Sequence, residues 1–149
     1  MSAIRCVEVS LTIPDNEAET ALATLRRLGL ELGSLHRADL YRVELVGENA
    51  DDVLAQLRAV ETIFNPNKHR LELRSQVEPQ AGETWIDEAG PQTVVLAGGQ
   101  AVRGITRIER FTAWRLVDAQ NSPAPRETVM RANELLLCNA AFQRSLIGR

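Results

Sequence analysis

Two histidines, two cysteines and a single lysine are the side chains from which most nucleophilic, acid–base or metal chemistry would have to be built in this chain. His36 and His69 sit in no Ser/His/Asp or Cys/His arrangement. Cys6 and Cys138 are far apart and lack a partnering His cluster, which argues against both a disulfide framework and a zinc site. Cys6 falls in an alternating segment with no basic neighbours arranged to lower its pKa, so it is expected to be a small strand residue rather than a nucleophile. Lys68-His69-Arg70 is the densest positive cluster and could receive a phosphate or a carboxylate. Against that, three adjacent residues of an extended strand cannot all face one ligand. Gly98-Gly99 is followed by no phosphate-loop pattern and reads as a hairpin turn. Asp51-Asp52 and Asp87-Glu88 lack the spacing of calcium loops, and helix capping accounts for the first pair. No catalytic residue, cofactor or metal ligand is therefore expected. What remains is Tyr41-Arg42 and Trp114-Arg115, two aromatic–Arg pairs in a chain with two Trp, one Tyr and three Phe. They are candidate anchors of an interface, or equally core residues.

The elements that must position these residues are legible from periodicity. Tyr41, Val43 and Leu45 alternate with Arg42, Glu44 and Val46, and Leu71, Leu73 and Val77 alternate with polar neighbours, as half-buried strands require. Between them Leu54, Leu57, Val60 and Phe64 recur at spacings of three and four, one side of a helix over about 50–63. Upstream, 4–13 alternates strictly and is ended by Pro14. Asp15 or Asn16 then caps a helix striped by Ala18, Ala21, Leu22, Leu25 and Leu28, with Gly29 closing it. Residues 30–38 read as a short irregular strand weakened by Gly33, followed by a separate strand over 40–46. The order is β-α-β-β-α-β in residues 1–78, for which a ferredoxin-like α+β packing, helices on one face of an antiparallel sheet, is expected. One face of that sheet, carrying Ile4, Cys6, Glu8, Ser10 and Thr12, is left without a partner.

Residues 78–84 are polar, with Pro79 and Gly82, and mark the expected boundary of a second half, 79–149. There 93–97 reads as a strand, 105–118 as one long bent strand or two, 126–138 as a helix and 142–147 as a closing strand or tail. This half resembles the first. Tyr41-Arg42-Val43 returns as Trp114-Arg115-Leu116, an offset of 73, and Ile63-Phe64-Asn65-Pro66 as Leu137-Cys138-Asn139-Ala140, an offset of 74. A partly duplicated α+β chain is expected, with a truncated second copy.

An apolar fraction of 44% and a charged fraction of 25% are those of a soluble globular protein. No apolar run approaches the length that spans a bilayer, and the N-terminus reads as a strand rather than a targeting segment. A cytoplasmic location is expected. The net charge of -3 gives no electrostatic reason to expect nucleic acid.

LRRLGL (25–30), LHRADLYRVELVGENADD (35–52) and the helix leading into FNPN (64–67) resemble, in order and spacing, the PurS subunit family of phosphoribosylformylglycinamidine synthase. The similarity covers about residues 5–77. It implies a small ferredoxin-like protein that oligomerises, has no active site of its own, and holds synthetase and glutaminase subunits together in a step of purine biosynthesis. The chain departs from the family at Pro14-Asp15-Asn16, where an Asp-Pro-rich loop is reduced, at His36-Arg37-Ala38-Asp39, and in its additional half. Two functions are therefore expected to compete: a non-catalytic assembly subunit, and a small-molecule-binding regulatory domain of the ACT-like kind, which shares the βαββαβ plan.

Overall fold

A computed structural model describes residues 2–46, 50–60, 63–87 and 105–148. The chain is α+β. Six strands, β1 (Ser2–Leu11), β2 (Ser34–Val46), β3 (His69–Arg74), β4 (Glu83–Asp87), β5 (Ile105–Val117) and β6 (Ser145–Ile147), form an antiparallel sheet in the order β3-β1-β2-β5-β4-β6. The helices are α1 (Asn16–Arg27), α2 (Ala50–Arg58) and α3 (Arg126–Ala132), the last continuing as a π turn, Asn133–Leu137. The strand expected over 93–97 and the turn at Gly98-Gly99 lie outside the described residues, as do Gly47 and Asn49.

Two compact units interleave along the chain. Unit 1 is Met1–Ile13, Asp39–Val77 and Gly90–Arg110, and unit 2 is Pro14–Ala38, Glu78–Ala89 and Phe111–Arg149. Both draw on residues from either side of position 78.

In unit 1, β1 lies between two antiparallel partners. It pairs with β2 from Ser2↔Val46 to Val9↔Asp39, and with β3 from Cys6↔Arg74 to Leu11↔His69. Its odd-numbered side chains, Val7 and Val9, therefore meet Tyr41, Val43 and Leu71, and this face is closed by Leu57, Val60 and Ile63 with Ile108 of β5. The opposite face is not bare: Cys6 and Leu40, which point that way, are fully buried. The two strands expected over 30–38 and 40–46 are one strand, starting at Ser34. Gly33 does not weaken it from within but ends it, because its N–H donates to the Val117 carbonyl and a Cβ there would stand 2.3 Å from the Asp118 carbonyl oxygen. The helix expected to reach residue 63 stops at Arg58, and Val60 and Ile63 beyond its end are still buried.

In unit 2, β4 pairs with the second half of β5 (Glu83↔Arg115 to Asp87↔Phe111) and with β6 (Thr84↔Ile147 to Ile86↔Ser145). Residues 83 and 84 thus begin a strand rather than a linker. The strand is silent in the sequence because Glu83, Thr84, Trp85 and Ile86 are all buried, so no alternation marks it. Helix α1 packs here through Ala18, Ala21 and Leu25, against a cluster that includes Leu35, Ile86, Trp114 and Val129. Its cap is Asp15, whose side chain accepts from the Ala18 N–H. It ends in a Schellman turn: the Leu30 N–H donates to Leu25 and that of Gly29 to Arg26, with Gly29 at φ +102.

Candidate functional site

The positive cluster does not converge. Asn65 opens a turn in which its carbonyl accepts from the Lys68 and His69 N–H groups and its Oδ1 accepts from the Asn67 N–H. The His69 ring folds back so that Nδ1 accepts from the Asn65 N–H at 3.0 Å, beside the Phe64 ring. Arg70 lies 3.5 Å from Glu72. His69 and Arg70 are thus committed to the turn and to the neighbouring carboxylate, while Lys68 is exposed.

The same turn occurs in unit 2. The Asn139 carbonyl accepts from Phe142 and Gln143, its Oδ1 accepts from the Ala141 N–H, and its own N–H donates to the Gln143 side chain. All four bonds reproduce those of Asn65 at the offset of the sequence repeat, with glutamine Oε1 in the place of histidine Nδ1.

The aromatic–Arg pairs show a second correspondence, at the offset of the strands. Tyr41 is buried in the unit 1 core, and Arg110 from β5 acts on it electrostatically. Trp114 is buried in the unit 2 core, with the Arg37 guanidinium of β2 6.0 Å from its ring centroid. Arg42 grips Glu109 through two hydrogen bonds of 3.1 and 3.3 Å, whereas Arg115 faces His36. Arg37 and Arg110 are related by that same offset, as are His36 and Glu109. Each aromatic thus belongs to the core of its unit and has an arginine from a neighbouring strand beside it. Sequence reading missed Arg37, Arg110 and Glu109, although sliding residues 36–42 along the chain onto 109–115 would have found them.

Charge follows this geometry. Burial pushes the Tyr41 phenol up, and Asp39 adds to this while Arg110 opposes it. Partial burial pushes His36 below its ordinary value, and the Arg115 guanidinium does so further. Burial works against the charge on Arg37, but its hydrogen bonds with Asp15 and the fields of Asp15 and Glu17 outweigh it and raise its pKa.

Unit 2 also holds an open cleft of about 650 Å³ beside the π turn, lined by Asn133, Leu135, Cys138, Ser145 and Ile147 among others. Asn133 is 6% exposed; its Nδ2 donates to Thr84 Oγ1 at 2.9 Å, while its Oδ1 has no partner among the described residues. Burial raises the Cys138 thiol, against a hydrogen bond from Ser145 that lowers it.

The chain matches no protein-family model and no curated protein. Among the described residues no group of three His, Cys, Asp or Glu could hold a metal ion, and no helix is long and apolar enough to cross a membrane.

Proposed function

We propose that this chain is a non-catalytic assembly subunit, related to the PurS family, in which a ferredoxin-like unit is present twice on one polypeptide. The recurrence of the Asn65 turn at Asn139, bond for bond, carries this reading. Chance similarity of two strands is ordinary, since strands have few ways to pair; a five-residue turn closed by the same four hydrogen bonds, at the offset the sequence repeat gives, is not. The strand orders agree with it. Unit 1 reads β3-β1-β2 with β5 beside β2, and unit 2 reads β6-β4-β5, so β1, β2 and β3 of the first copy correspond to β4, β5 and β6 of the second.

An assembly role fits side chains that are used structurally. Arg37 with Asp15, and Arg42 with Glu109, form ion pairs rather than converging on a shared point where substrate could react. The resemblance supplies the partners, a cytoplasmic synthetase and a glutaminase, and a tendency to oligomerise. Tagged full-length chain recovered from its native cell tests this. Co-purification of synthetase and glutaminase polypeptides, in fixed ratio through size-exclusion chromatography, is the expected result. A chain that elutes without either, under conditions where those two polypeptides are both present, contradicts it.

A further inference from the structure

The two units differ where the cleft lies. In unit 1 the Phe64 N–H donates to the Val60 carbonyl, four residues back. In unit 2 the Cys138 N–H donates to the Asn133 carbonyl, five residues back. One extra residue has entered the second copy at this point. It makes the π turn, and it lengthens by one the offset between copies on passing from the strands to the Asn turn. Buried Asn133 consequently stands where unit 1 has buried Val60, Cys138 stands where it has Phe64, and Ser145 where it has Leu71. Three apolar side chains that close the first core are replaced by an amide, a thiol and a hydroxyl, and the second unit has an open cleft of about 650 Å³ among those three.

We propose that this cleft is a binding site for a small neutral or cationic molecule with an apolar body and at least one N–H or O–H donor. The volume is within the range of ligand sites, roughly 300–1,000 Å³. Leu135, Leu136, Ile147 and Met130 supply apolar wall. A donor is called for because Asn133 keeps a buried Oδ1 without a partner among the described residues, and a buried acceptor left unmade costs on the order of 1–3 kcal/mol unless something satisfies it. An anion is disfavoured because the charged residue among the lining side chains is Glu134, whose exposed pairing with Arg131 at 3.3 Å leaves the wall without a cation of its own. Exchange of core bulk for polar groups at a π turn makes no sense for packing alone, since each lost buried aliphatic or aromatic contact weakens the unit. The proposal stands on the geometry of the repeat and does not require the assembly role.

Benzamidine, benzamide and benzoate are matched probes, alike in shape and differing in charge. Titration of the full chain followed by NMR should show saturable shifts at residues 133–147 with benzamidine or benzamide, and at least tenfold weaker effects with benzoate. Restoring the unit 1 residues with the double substitution Cys138→Phe, Ser145→Leu should abolish the shifts and raise the melting temperature. Protection of the Cys138 thiol from N-ethylmaleimide by benzamidine gives a second readout in the unaltered chain, with buried Cys6 as internal control, should the double variant not fold. Absence of saturable shifts and of thiol protection by benzamidine and benzamide overturns the proposal. So does equal binding of benzoate, or binding that survives in a folded double variant.

Discussion

At the scale of single residues, the side chains that stood out as chemistry are mostly anchors. Asp15 caps α1 through the Ala18 N–H and at the same time accepts two hydrogen bonds, of 3.0 and 3.1 Å, from Arg37. Asp15→Ala removes the cap and leaves a half-buried guanidinium with Glu17 alone, so urea denaturation should show a loss of about 1–2 kcal/mol, the upper part of the range for a lost cap. Asn16→Ala, at a residue that does not cap, should cost far less. His36 gives a prediction with a sign. Its pKa in the folded chain lies below the ordinary 6.5 because protonation must work against partial burial and Arg115. The unfolded chain therefore takes up the proton first as pH falls, and the stability His36 contributes is present above 6.5 and declines as pH drops below it. NMR titration of the His36 ring should give a value below 6.5 that moves up in Arg115→Met; an unchanged value would remove Arg115 as a cause.

At the scale of elements, a close approach explains more than propensity. Gly33 immediately precedes β2, where any Cβ would collide with the Asp118 carbonyl oxygen, so Gly33→Ala should lower stability by roughly 1–3 kcal/mol, the cost of forced overpacking. Gly29→Ala, strained by its positive φ with nothing near its Cβ, should cost about 1 kcal/mol. Comparing the two by thermal and urea denaturation separates steric clash from backbone strain. The sequence announced β1, α1, the Asn65 turn and the extended stretch of β5, though not whether that stretch is one strand or two, because each carries a local signature: strict alternation, a capped stripe, Asn-Pro-Asn, or aromatic-Arg alternation. It did not announce that 30–46 holds one strand, since Gly33 reads as a weakness until its neighbour Asp118 is known. Nor did it announce β4, which is buried on both faces and five residues long, or the π turn, whose single added residue leaves the apolar pattern of 126–138 looking helical. Asn133, Cys138 and Ser145 were illegible as a site because only the fold brings them to one cleft.

At the scale of the whole molecule, each unit needs both ends of the chain. Helix α1 belongs to the unit whose core contains Ile86, Trp114 and Leu116, while Ile108 closes the core built on β1, β2 and β3. Residues 1–78 and 79–149 expressed separately should therefore give poorly dispersed NMR spectra, and mixing them should restore the dispersion of the intact chain. A well-folded 1–78 fragment with the native β1 and β2 shifts would contradict this division. The repeat itself is the central claim, and couplings across hydrogen bonds test it most directly. In the intact chain, NMR should detect transfer from the Lys68 and His69 amides to the Asn65 carbonyl and, with matching strength, from the Phe142 and Gln143 amides to the Asn139 carbonyl. Both sets together are the predicted result; a folded chain that shows the first set and lacks the second would contradict it.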